Sequence, residues 1–223
     1  MGKKITAIEP QKNDPKRVNI FLDGEFGFGL SGILAAWLKI GQELSNEKIN
    51  QLNNDDQLEK ANQRALNFIS YRPRSIHEVR KNLEAKDIST KIIEKVLARL
   101  KENSILNDKD FANQWVENRV DFHPRSRFAL RMELRTKGIT EDIIEDVLED
   151  LDDDKLAYKA VLKYSKRLER MEESTFRKKL SSYLARKGFS YTSIFPVVDE
   201  IWMKVQRDSK KITSNNEDDK WTQ

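Results

Sequence analysis

Residues 71–90 read YRPRSIHEVRKNLEAKDIST, and residues 122–140 read FHPRSRFALRMELRTKGIT. The two stretches share a Pro-Arg-Ser opening, a run of apolar residues at helical spacing, a stop, and the start of a second helical run. A shift of 51 positions carries Tyr71 to Phe122, Pro73 to Pro124, Ser75 to Ser126, Leu83 to Leu134, Ile88 to Ile139, Val96 to Val147 and Leu100 to Leu151. A further shift of 50 carries Leu134 to Leu184, Lys137 to Lys187, Gly138 to Gly188, Ile144 to Ile194 and Val147 to Val197. The third copy lacks Pro-Arg-Ser but keeps the apolar frame. Three copies at a near-constant period predict three structural units.

Each unit reads as three helices. The first is expected over 57–70, 108–119 and 156–168, the second after Ser75, Ser126 and Ser174, and the third after Ser89, Thr140 and Ser190. Ser75 with Glu78 three positions on has the form of a capping box, in which hydroxyl and carboxylate each satisfy a free backbone donor. Glu141 and Asp142 after Thr140 are acids of the kind a helix N-terminus favours. Gly138 and Gly188 suit a left-handed turn between second and third helices, and Asp87 in the first unit must adopt it at some cost. The apolar residue after each turn (Ile88, Ile139, Phe189) is the expected anchor.

Residues 1–31 follow another rule. In RVNIFLDGEFGFGL, Asp23-Gly24 between alternating segments predicts a two-residue hairpin, with Phe21 facing Phe26 and Asn19 facing Phe28. The other face would then carry Val18, Ile20 and Leu22 beside Gly27 and Gly29. KKITAIEPQ supplies a third strand. The small sheet is read as a folding cap, with a docking surface as the alternative. From Ser31 the period becomes helical: a short helix ended by Gly41, then two helices or one broken near Asn53-Asn54. The expected fold class is mainly α, an elongated array of three tandem three-helix repeats behind a small antiparallel sheet. Its divisions fall at 1–56, 57–107, 108–154, 155–207 and a disordered tail, 208–223.

Composition narrows the function. Charged residues make up 35% of the 223 and hydrophobic ones only 38%, a balance that suits a chain with much surface for its core. With no cysteine and two histidines, thiol chemistry and disulfides are excluded and no metal site is expected. No apolar run is long enough to span a bilayer, and MGKKITAIEP has no signal-peptide core, so the expected setting is cytoplasmic. GEFGFG sits in a hairpin and opens no helix, so it is not a nucleotide loop. His77 and His123 lack Ser or Asp partners, and no catalytic constellation, cofactor or small-molecule substrate is expected. From Glu141 to Lys155 nine acids against one lysine give 1 − 9 = −8, the wet side of an amphipathic helix.

Positive charge is clustered. Arg119 to Lys137 holds six cations and two acids, 6 − 2 = +4, and Lys163 to Lys187 nine and three, 9 − 3 = +6. Arg127, Arg131 and Arg135 share one helix face by their spacing of four. Arg72, Arg74, Arg80 and Lys81 open the series in the first unit. A solvated face would explain any one cluster; recurrence in three units favours an interaction surface for a phosphate backbone or an acidic partner. The contact candidates are Arg72, Arg74, Arg125, Arg127, Arg131, Arg135, Lys137, Arg177, Lys178, Arg186 and Lys187. Trp115 and Tyr71 are read as packing residues rather than base-stacking ones.

RALNFISYRPRSIHEVRKNLEAKDIS, FANQWVENRVDFHPRSRFALRMELRTKGI and FRKKLSSYLARKGFSYTSI, in that order, resemble the RecX family over about residues 60–203. Residues 1–31 resemble the N-terminal strand region of its longer members. The first unit departs from the pattern in having Lys86-Asp87-Ile88 where the others have Lys-Gly. The resemblance implies a non-enzymatic modulator, usually an inhibitor, of the recombinase RecA, acting in DNA repair, homologous recombination and the SOS response. It implies binding in the groove of the RecA–DNA filament, limiting filament extension, ATP hydrolysis and strand exchange, with direct single- and double-stranded DNA binding. Separately, the chain is expected to be a monomer without membrane attachment. The alternative from the residues is a helix-turn-helix transcription regulator.

Overall fold

The computed structural model describes residues 2–218, with side chains as far as Asp208. The protein is mainly helical, with a four-stranded antiparallel sheet at its N-terminal end. It divides into two compact units, the first ending at Leu106 and the second beginning at Asn107.

The first unit opens with β1 (Lys3–Gln11), β2 (Asp14–Leu22) and β3 (Glu25–Ser31), followed by α1 (Gly32–Ala35) and β4 (Glu43–Leu44), in sheet order β3-β2-β1-β4. Asp23 and Gly24 both take positive φ, 52° and 90°, which the tight hairpin requires. Phe21 pairs with Phe26 as expected, but Asn19 pairs with Gly29 and Ile20 with Phe28. The cause is a bulge that leaves Gly27 over, so every later residue of β3 changes face. Phe28 and Leu30 thereby join Ile20 and Leu22 in the core. A Cβ on Gly27 would stand 2.9 Å from the Leu22 side chain, so glycine permits this register.

The sheet buries its inner face against α1 and the first turns of α2 (Asn46–Ser70) through Ile5, Leu30, Leu44 and Leu52. The helix α2 is continuous through Asn53-Asn54, where a break was expected, and crosses the division expected at residue 56. Asp56, only 3% exposed, explains the continuity. Its carboxylate accepts both Arg17 terminal nitrogens at 3.0 and 2.9 Å and the Ser31 N–H at 2.9 Å, and pairs with Lys60 at 2.9 Å. This buried charge ties α2 to β2 and β3. The second half of α2 packs with α3 (Ile76–Glu84) and α4 (Thr90–Glu102) around Ala61, Ala65, Val79, Leu83, Val96 and Leu100. Ser75 and Glu78 form the expected capping box, and Ser89 precedes α4.

The second unit holds α5 (Asp108–Phe122), α6 (Arg127–Thr136) and α7 (Glu141–Leu148), then α8 (Asp153–Ser165), α9 (Glu173–Arg186) and α10 (Tyr191–Asp218). Phe111, Leu130, Leu134 and Ile144 centre the first triplet. Phe176, Leu180, Leu184 and Ile194 centre the second. After α6 and α9, Gly138 and Gly188 take φ 75° and 89°. The N–H groups of Ile139 and Phe189 then reach back to the carbonyls of Leu134 and Leu184 at 3.1 and 3.3 Å, a Schellman closure. Asp87 makes the corresponding turn at φ 55°.

Two expectations for this unit are corrected. The helix α9 starts at Glu173, ahead of Ser174, with Glu172 as N-cap and no side-chain capping bond. The backbone is also still helical from 208 to Asp218, where a disordered tail was expected; residues 219–223 lie outside the described residues.

Candidate functional site

The densest group of predicted contact residues lies within the second unit, where α5, α6 and the end of α9 come together. Ser126 starts α6, its hydroxyl accepting the Ala129 N–H at 3.1 Å. Its own N–H donates to the Lys187 carbonyl at 3.2 Å, joining the loop before α6 to the α9–α10 turn. Arg125 is thereby set beside Lys187.

Glu133, nearly two turns into α6, gathers the cations around it. Its Oε2 accepts Trp115 Nε1 and Arg119 Nε, both at 2.8 Å, and its Oε1 takes Arg125 Nε at 3.1 Å. Trp115 and Arg119 stand one turn apart on α5, and the Arg119 guanidinium lies 4.6 Å from the Trp115 ring centre, with the Lys137 ammonium at 4.9 Å. Such contacts hold cations in place without neutralising them. Lys187 sits 5.2 Å from the Tyr183 ring. Burial first, then Arg125 and Arg119, push its pKa down against the opposing pull of Glu133. One carboxylate therefore serves several cations, and the neighbourhood is short of negative charge.

The outer face of α6 repeats the pattern. Arg131 and Arg135 both reach Glu141 at the start of α7, at 3.3 and 2.8 Å. The hydrogen bond from Arg135, with the charges of both arginines, outweighs desolvation and holds the Glu141 carboxyl below its usual range. Arg127 is exposed, and its backbone N–H donates to Asp153 at 2.7 Å. Two arginines of this face thus share one carboxylate of α7.

The other candidates divide by environment. Lys178 and Arg186 on α9 are exposed. Arg177 is held by Glu173 at 2.7 Å and by Asp199. In the first unit Arg72 makes a two-point pair with Glu78 at 3.1 and 2.9 Å and also donates to the Pro73 carbonyl. Arg74 donates to the Phe68 carbonyl at 3.3 Å with its guanidinium 3.7 Å over the Phe68 ring, and burial leads the lowering of its pKa. Arg72, Arg74 and Arg177 therefore brace local structure.

Trp115 packs as expected, stacked on Phe111 with ring centres 5.9 Å apart. Tyr71 does not: at the C-cap of α2 it is 84% exposed. Sequence reasoning missed Glu133 as the hub; the cue was Trp115 and Arg119 at i, i+4. It also missed Phe128 and Met132, exposed beside the arginines of α6. Among the described residues no group of His, Asp and Glu could hold a metal ion, and no helix is long and apolar enough to cross a membrane. The third helix α7, EDIIEDVL, is too acidic to enter a DNA groove as a recognition helix.

Three family models match the chain: the regulatory protein RecX N-terminal domain over residues 3–45, the first RecX three-helix domain over 61–100, and the second over 107–148. Regulatory protein RecX of Bacillus subtilis (strain 168) is 34% identical over 212 residues, covering 93% of this chain and 80% of the relative. Regulatory protein RecX of Clostridium botulinum (strain Eklund 17B / Type B) is 31% identical, covering 88% and 95%. A crystal structure of regulatory protein RecX superposes with a TM-score of 0.67 at 30% identity, covering 89% of this chain and 99% of that one. That of RecX from Lactobacillus salivarius gives 0.58 at 27%, covering 66% and 97%.

Proposed function

The chain belongs to the RecX family of regulatory proteins, and from that premise we propose that it modulates the recombinase RecA, as an inhibitor, by binding along the groove of the RecA–DNA filament. The supporting observation is the local clustering of cations in the stretches 119–137 and 163–187 of the second unit: Glu133 and Glu141 each serve two arginines, while Arg127 on α6 and Lys178 and Arg186 on α9 are exposed. A surface of this kind suits a partner that repeats its negative charge. Many modest contacts in register sum to useful avidity without a deep pocket, and attraction between exposed charges weakens as salt is added.

Bound to neighbouring RecA protomers, the protein would hinder their rearrangement during ATP turnover and the addition of the next subunit. No step of this mechanism needs a catalytic residue or a cofactor; the chain acts by occupying a surface. DNA phosphates and acidic RecA side chains would share the same arginines.

The test is RecA ATP hydrolysis on single-stranded DNA with the purified full chain added. The proposal predicts a dose-dependent fall in rate that is relieved by moderate salt. An unchanged rate at low salt, with the chain in excess over RecA, would contradict it.

A further inference from the structure

Between α6 and the end of α9 runs an open groove with an apolar floor. Phe128 is 67% exposed and Met132 45%, and their spacing of four puts them on one helix face. Ala129 and Ala185 also line the groove, together with Arg125, Arg186 and Glu133, whose carboxylate is already paired with Arg119 and Arg125. The helical turn of about 100° per residue places Arg131 and Arg135 along the other flank of the Phe128–Met132 stripe. We infer that this groove is the chain's protein-contact site, taking an acidic segment anchored by apolar side chains. The inference rests on the reading above and deepens it, because it assigns one part of the surface to protein rather than to nucleic acid.

Three observations carry it. Phe, Met and Arg side by side are the residues enriched at the centres of protein interfaces, and arginine is among the residues that carry most of the binding energy there. A phosphodiester backbone would satisfy the arginines and leave Phe128 and Met132 in water, whereas an acidic segment with an apolar anchor satisfies both. The groove is also preformed. The Ser126 N–H bond to the Lys187 carbonyl and the close approach of Gly188 to Ser126 and Ala129 fix its two walls, so binding need not order them first. The rim still has capacity for an incoming carboxylate: Arg125 gives Nε to Glu133, yet its side chain is 42% exposed.

The test uses the full chain carrying 13C-methyl methionine, with the Met132 signal assigned by Met132→Leu. Three probes are titrated: a helix-forming peptide with leucines at i and i+4 flanked by glutamates, the same peptide with both leucines replaced by serine, and a short oligothymidylate. The Met132 methyl is expected to shift with the leucine peptide and not with the other two. Phe128→Ser, whose exposed position leaves the fold intact by circular dichroism, should weaken the peptide at least about tenfold, or about 1.4 kcal/mol. An unmoved methyl overturns the inference, and an equal or larger shift with oligothymidylate reassigns the groove to nucleic acid. Because the peptide arm contains no RecA, its failure is distinguishable from failure of the ATPase measurement.

Discussion

Gly188 lies against Ser126: a Cβ built on the glycine would stand 2.7 Å from the serine hydroxyl and 2.9 Å from the Ala129 Cβ. The contact joins the α9–α10 turn of one helical triplet to the start of α6 in the triplet before it, and it holds both walls of the groove that carries Phe128 and Met132.

Gly188→Ala should therefore meet two costs, a left-handed backbone at φ 89° and a clash at the junction. Gly24, at φ 90° with nothing within 4 Å of its built Cβ, isolates the first cost. Urea unfolding should show a loss of about 1 kcal/mol for Gly24→Ala and about 2–3 kcal/mol for Gly188→Ala. Equal losses would mean that the junction relaxes freely.

Asp87 holds at φ 55° the turn that its counterparts fill with glycine. Asp87→Gly should stabilise the first unit by about 0.5–1 kcal/mol, because the left-handed strain exceeds the added freedom of the unfolded chain. A thermal melt that falls on substitution would show that the Asp87 side chain contributes something the backbone does not require.

Asp56 sets a pH dependence. Burial raises its pKa, but hydrogen bonds from Arg17 and Lys60 and their charges together outweigh it, and the folded value lies below the usual one. A depressed carboxylate contributes stability that is present above its unfolded pKa of about 3.9 and is lost as pH falls through the folded value. Asp56→Asn should cost about 3 kcal/mol at neutral pH, since it leaves Arg17 without its counter-charge. The gap between variant and wild type should narrow in urea melts taken below about pH 4; a constant gap would contradict the assignment.

Glu133→Gln should act on stability and on binding with opposite signs. Losing the charged acceptor of the Arg119 and Trp115 bonds should cost about 1–2 kcal/mol in unfolding. One less negative charge amid the cations should tighten binding to the RecA–DNA filament and steepen its salt dependence, by up to about one in log–log slope if an added phosphate contact forms. Weaker binding with stability unchanged would remove Glu133 from its place at the centre of the site.

The repeat was legible because its signals are local: a period near fifty, the Ser75–Glu78 box, glycines at left-handed turns. The bulge at Gly27 was not, since FGFG alternates equally well in either register and only the Leu22 side chain decides between them. The continuity of α2 depends on Arg17, 39 positions from Asp56, a distance over which local helix signals say nothing. The charge clusters were visible as composition, but the sequence could not tell which arginines brace the fold. Arg72 and Glu78 meet around a loop, and Arg177 finds Asp199 on another helix. The apolar stripe of Phe128 and Met132 was hidden among the arginines, because a helix pattern predicts which residues share a face and not which face a neighbour leaves open.

The most direct measurement of the central claim follows RecA filament growth on single-stranded DNA in real time, with the wild-type chain and with Arg127→Glu, Lys178→Glu and Arg186→Glu combined. These three side chains are exposed, so the fold should survive. The wild type should slow or halt extension, and the triple variant should restore it to the rate without the protein. Equal inhibition by both at moderate salt would contradict docking through this basic surface.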